Sequence, residues 1–123
     1  MTLPLTDRDL PVELHDVFRV TQLTNDTKLA DVVAADVVEM EPGQRSGIHR
    51  HNDAETVLYF TRGDATVILD DDEVAVTPGT RVRVGAGVFH GVVSHTEVQF
   101  ISVQSPPILD TANGRLDFER KEH

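Results

Sequence analysis

Short runs of apolar and β-branched residues, interrupted at close intervals by Gly, Pro and Asp, dominate the chain. Val17 to Leu23 reads Val-Phe-Arg-Val-Thr-Gln-Leu, a composition suited to a pleated, half-buried strand. Asp31 to Met40 carries two Val-Val pairs and stops at Pro42-Gly43, a turn signal. Its valines favour strand over helix, because branching at Cβ restricts χ1 in a helix. Glu55 to Thr61 is a third run, closed by Gly63. Thr66 to Leu69 and Val74 to Thr77 flank Asp70-Asp71-Asp72-Glu73, which predicts a hairpin. Thr80 to Val84 alternates Arg with Val at period two, the pattern of a strand with one buried face. Val88 to Val93 and Val98 to Val103 complete the series, and Pro106-Pro107 must end it, since proline donates no ladder hydrogen bond. Short strands at regular spacing predict an all-β sandwich or barrel. The charged tail from Leu109 to His123 fits either one short helix or a disordered segment.

Length and composition narrow this further. The 123 residues suffice for one domain with one core. We read an N-terminal arm over 1–15, a barrel over 16–105 and a C-terminal tail over 106–123. No period of 20–50 residues repeats, so the chain is not a solenoid. With no cysteine there is neither a disulfide nor a thiolate metal site, and any metal must sit on nitrogen and oxygen. The formal net charge of -10, with no run of basic residues, argues against a nucleic-acid partner and is most simply a solubility feature. No stretch reaches the ~20 apolar residues of a membrane span. Met1 to Leu10 carries Asp7, Arg8 and Asp9 and lacks a secretory pattern, so a cytoplasmic location is expected.

The chemistry resides in the histidines. Of six, His49 and His51 stand at i and i+2, a spacing that points both rings to one face of a strand. Glu55 follows four residues after His51, at the head of the next apolar run. His90 closes the turn Gly85-Ala86-Gly87 and opens another strand. A single buried histidine is more often a satisfied core group than a ligand. Imidazoles converging from separate strands, with a carboxylate nearby, suit one divalent Mn, Fe, Co, Ni, Cu or Zn ion.

Gly43-(x)5-His49-x-His51-(x)3-Glu55, followed by Gly63, resembles the first cupin motif, and Gly79-(x)5-Gly85-x-Gly87-(x)2-His90-(x)3-Ser94 resembles the second. The resemblance covers Val37 to Val103 and implies a double-stranded β-helix, or jelly-roll barrel, with a metal inside its wider mouth. It implies His49, His51, Glu55 and His90 as the metal ligands. Three departures stand out. Gly85 replaces a usual proline, and Ser94 a usual asparagine. From Glu55 to Gly63 there is one residue more than usual, and counting back from Gly63 puts the acidic position on Thr56. Either a local bulge makes Glu55 the fourth ligand, or Thr56 fills the slot and the site is three histidines and water. A carboxylate is the better donor, which favours Glu55.

Other side chains read more simply. Tyr59 shares a strand face with Glu55 and is a candidate proton donor, or else a packed aromatic. Phe89 and Phe100 read as packing. Arg81 and Arg83 read as an outward, solvated face, Arg62 as a turn residue, and His15, His95 and His123 as exposed. Asp70 to Glu73 lacks the alternation and glycine of a calcium loop. No nucleophile elbow, P-loop or dinucleotide fingerprint is present. The expected function is that of a metal-dependent enzyme on a small organic molecule, of dioxygenase, isomerase, decarboxylase or lyase type. The alternative is a non-catalytic cupin that binds or senses a small ligand. The resemblance implies a homodimer, with Val17 to Leu23 a candidate for exchange between copies.

Overall fold

The computed structural model describes residues 6–110 and 115–121. Among them the chain is folded almost entirely into antiparallel strands, with one 3-10 turn at Lys28–Asp31. One sheet has six strands in the spatial order β1 (Val12–His15), β2 (Phe18–Gln22), β3 (Ala34–Met40), β10 (Val98–Ser105), β5 (Glu55–Arg62) and β8 (Arg81–Val84). The other has five, in the order β13 (Glu119–Arg120), β4 (His49–Arg50), β9 (His90–Ser94), β6 (Ala65–Leu69) and β7 (Asp72–Val76). A small ribbon joins β11 (Leu109–Asp110) to β12 (Arg115–Leu116).

The two sheets pack as a jelly roll. Val38, Phe60, Val82 and Phe100 from the first meet Val67, Val76 and Val92 from the second in one apolar core. No ladder joins the sheets edge to edge among the described residues, so the expected closed barrel is a two-sheet sandwich.

Most of the strands expected from the pattern form, with shifted ends. Ala34 rather than Asp31 opens β3, because the 3-10 turn takes the preceding residues. His90 rather than Val88 opens β9, because the Val88 N–H closes a turn onto the Gly85 carbonyl at 3.2 Å. β1 arises inside the expected arm, turning into β2 at Asp16, which holds a positive φ of 56°. β2, the segment considered for exchange, is bonded on both edges by β1 and β3 of its own chain.

Register places the site. Across the six-stranded sheet, Val20, Val38, Phe100 and Phe60 are neighbours in one row, and all are apolar. Two residues further along, the row on the same face is Gln22, Asp36, Ser102 and Leu58, and the next contains Gln104 and Thr56. The inner face therefore turns from apolar to polar within one strand repeat. These rows face a cavity of about 780 Å³, with Val20, Val38 and Phe100 forming its apolar floor.

One glycine is required by close approach. Gly63 has a φ of +84°, and a Cβ there would fall on the Glu97 carbonyl. Gly43 has a similar φ of +75° but open space around it. Gly63→Ala should therefore cost about 2–4 kcal/mol in urea unfolding, against about 1 kcal/mol for Gly43→Ala. Equal losses would show that backbone strain alone, not the contact with Glu97, sets the requirement.

Candidate metal centre

β4 and β9 bring the histidines together. His49 and His90 are direct partners across the ladder. His51, two residues after His49, points to the same side. Ring centroids lie 5.1 Å apart for His49–His51, 4.3 Å for His49–His90 and 5.2 Å for His51–His90. One coordinating atom from each ring lies within 4.8 Å of the others. All three rings line the cavity.

The loops that carry these strands are tied to each other. The Gly87 N–H donates to the His51 carbonyl at 2.7 Å, joining the second glycine-rich turn to the first histidine segment. Buried Ser94 accepts from the Gln44 N–H at 2.9 Å and donates to the Glu41 carbonyl at 2.6 Å. The serine thus bridges the start of one motif to the end of the other.

Backbone carbonyls orient the rings. Nδ1 of His51 lies 2.7 Å from the Asp117 carbonyl, and Nδ1 of His90 lies 3.0 Å from the Val88 carbonyl. A carbonyl only accepts, so each Nδ1 carries the proton and each Nε2 keeps a lone pair for a metal. The Gly47 backbone also hydrogen-bonds the His49 ring. This donor set fits a borderline transition metal.

The fourth position differs from the carboxylate reading. β5 alternates strictly from Glu55 to Phe60, with Thr56, Leu58 and Phe60 buried and Glu55 and Tyr59 exposed. Thr56 lines the cavity, and Glu55 lies on the opposite face, away from the histidine group. The extra residue is absorbed further along, by a register shift where Arg62 pairs with Gln99 and Phe60 with Phe100. A bulge there cannot rotate Glu55 inward. Thr56 Oγ1 is buried without a hydrogen-bond partner among the described residues. Tyr59, 45% exposed, is likewise remote from the cavity.

The C-terminal segment covers the centre, which the sequence pattern did not reveal. β13 pairs with β4, and the Phe118 ring stacks on His49 at 4.8 Å. The Asp117 carboxylate accepts from the N–H groups of Asn52, Asp53 and Ala54 at 2.5, 2.9 and 2.9 Å. Burial opposes the Asp117 charge, but those three donors outweigh it and hold its carboxyl below the usual range. The available signal was slight: a lone aromatic between charged residues, just before a strand two residues long.

The remaining side chains fall where single residues suggested, with one exception. Arg81 and Arg83 are exposed, Phe100 is in the core, and His15 and His95 are exposed. Phe89 packs under Arg50, whose guanidinium carbon lies 4.7 Å from the ring centre. Arg62 is more than a turn residue, ending β5 in ion pairs with Glu39 at 3.2 Å and Glu97 at 3.5 Å. His123 lies outside the described residues.

Two of the packed imidazoles, His49 and His90, resist protonation. Burial, reinforced by the His90 and His51 rings, pushes His49 down to about 3. Burial also lowers His90, against the Val88 hydrogen bond, which favours its cation. Folded values below the unfolded one mean that the unfolded chain binds more protons between about pH 6.5 and 3. Stability conferred by these rings is therefore complete above about pH 6.5 and lost as pH falls through that window. The metal-free protein should lose up to about 1.4 kcal/mol per pH unit from His49 alone. Urea midpoints from pH 7 to pH 5 should show this slope, and His49→Gln should flatten it. An unchanged slope in that variant would place the effect elsewhere.

Comparison with known proteins agrees with this architecture. A family model described as "Cupin domain" matches residues 36–104. No curated protein sequence matches the chain. Among solved structures, KdgF from a Halomonas species is similar at 17% identity and a TM-score of 0.70, covering 79% of this chain and 86% of that one. An RmlC-like cupin from Shewanella frigidimarina is similar at 21% identity and a TM-score of 0.70, covering 80% and 85%. Salicylate 1,2-dioxygenase from Pseudoaminobacter salicylatoxidans is similar at 13% identity and a TM-score of 0.74, covering 92% of this chain but 31% of that one. At these identities the structural likenesses speak to fold alone. With two glycine-bracketed histidine motifs, a two-sheet jelly roll and a family match over more than half its length, the chain belongs to the cupin family.

Proposed function

We propose that this protein is a metal-dependent enzyme acting on a small organic molecule. The observation that carries the reading is the pair of histidines, His51 and His90, whose Nδ1–H groups are held by carbonyls while their Nε2 lone pairs face a cavity shared with His49. His49, His51 and His90 would hold one divalent Fe, Mn, Ni, Zn, Co or Cu ion. Bound there, such an ion supplies Lewis acidity toward a carbonyl or hydroxyl oxygen and activates water or dioxygen. The protein's own groups set the context. Neutral imidazoles leave the ion's charge uncompensated, which favours an oxygen ligand from the substrate. The unpartnered Thr56 hydroxyl faces the same cavity. Phe118 over His49 keeps water from that side. Dioxygenase, isomerase, decarboxylase and lyase chemistries all draw on a centre of this kind, and a turnover screen distinguishes them.

The reading extends to a homodimer. β1 ends the six-stranded sheet, with one edge unbonded among the described residues, and Val12 and Leu14 on it are 56% and 78% exposed. A second copy is the natural cover for such an edge. Leu14→Glu should halve the mass in light scattering, and a wild-type monomer would end this part of the proposal.

Metal titration at neutral pH should find one ion per chain. His90→Ala should weaken binding more than about 100-fold and abolish turnover, while Glu55→Ala should stay within about twofold. Asp117→Ala, which frees the carbonyl that orients His51, should weaken binding about tenfold. Refusal of every transition metal by the native protein would sink the centre. Tight binding of metal and ligand without turnover would make the protein a non-catalytic binder instead.

A further inference from the structure

The cavity has a second polar surface, opposite the histidines, that nothing in the metal centre explains. It is built from Gln22, Asp36, Ser102, Gln104 and Thr56, all of which line the cavity. Cross-strand register makes them neighbours: Gln22 beside Asp36, Asp36 beside Ser102, and Gln104 beside Thr56. One repeat deeper the same face is wholly apolar, so these residues replace what would otherwise be core.

Their hydrogen-bonding capacity is lopsided. The Gln104 amide nitrogen lies 3.3 Å from Ser102 Oγ, and the Gln22 amide nitrogen lies 3.4 Å from Glu13 Oε2. Both amide donors on this wall are thus directed at protein acceptors. Among the described residues, the Gln104 Oε1 acceptor is buried with no partner, and so is the Thr56 hydroxyl, which can donate as well as accept. Asp36 makes no hydrogen bond or ion pair among the described residues, and burial raises its pKa, against His15 and with Glu13. An unpartnered buried polar group weakens a fold, so a cluster of them is kept at a cost unless a ligand completes it.

We propose that this wall is a recognition subsite for the hydroxyl groups of a neutral, hydroxylated small molecule, with Asp36 and Gln104 as acceptors. The cation lining the cavity, Arg120, pairs with His49 on the opposite side, so a carboxylate or phosphate facing this wall would meet Asp36 and be repelled. The hydroxylated end points at β3 and β10, and the opposite end faces the three imidazoles. A cavity of about 780 Å³ takes one such molecule. The inference deepens the enzymatic reading, since it names the substrate class of the same cavity, but the wall can be probed without the metal.

Catechol and D-xylose, each against its methyl ether, are the probes, with binding measured by calorimetry on metal-free and cobalt-loaded protein. At least one hydroxylated probe should bind both forms, about tenfold more tightly than its ether. Gln104→Leu and Asp36→Leu should each weaken that probe about tenfold or more, while the unfolding midpoint of the ligand-free protein stays level or rises, because an unsatisfied acceptor has been removed. Cobalt affinity of Gln104→Leu should match wild type. The subsite is overturned if neither hydroxylated probe binds, if the ethers bind equally, or if the substitutions spare binding or lower the midpoint. Loss of cobalt binding by the native protein with xylose or catechol binding intact would count against the metal centre and for the wall.

Discussion

Three imidazoles are pressed together at the end of a cavity. Burial and the neighbouring His90 and His51 rings hold His49 down to about 3, which keeps it neutral. Neutrality in turn demands that each ring choose a tautomer, and the backbone chooses it. Carbonyls at Asp117 and Val88 can only accept, which settles where the protons sit on His51 and His90 and where the lone pairs point. The Gly87 N–H bond to the His51 carbonyl then matters because it ties down the turn beside Val88, and the Asp117 carboxylate's bonds to Asn52, Asp53 and Ala54 hold the other carbonyl in place.

The fourth position illustrates how a strand's period governs chemistry. A one-residue difference in frame separates an exposed carboxylate from a buried hydroxyl. Glu55 is chemically the stronger ligand, yet it lies on the outward set of β5. The extra residue before Gly63 is taken up beyond Phe60, where the end of the β5–β10 ladder tolerates a shift. A centre without an anionic protein ligand leaves more charge on any bound ion, and a substrate oxygen is the group that would meet it.

The six-stranded sheet divides its inner face between two tasks. The row through Val20, Val38, Phe100 and Phe60 packs into the core and floors the cavity, and the rows with Asp36, Ser102, Gln104 and Thr56 make its polar wall. Polar groups without partners weaken the fold where they stand, and the apolar rows below them supply the compensating burial. Such a trade is common where a protein keeps groups poised for a ligand.

Much of this was legible from the residues themselves. Period-two alternation and turn residues announced the strands. His49-x-His51 with His90, set among glycines, announced the cluster, because spacing on a strand determines face. The outward arginines Arg81 and Arg83 followed from the same rule. What alternation cannot convey is which strands pair, in what register, and what closes over them. Thr56 and Glu55 are both plausible until β10 fixes the frame of β5. Asp36, Gln104 and Ser102 become one surface only when β3 and β10 align. Phe118 and Asp117 reach the histidines through a pairing of β13 with β4 across some seventy residues of chain, in a strand too short to carry a period. Those contacts are set by long-range hydrogen bonding, and the tertiary structure alone decides them.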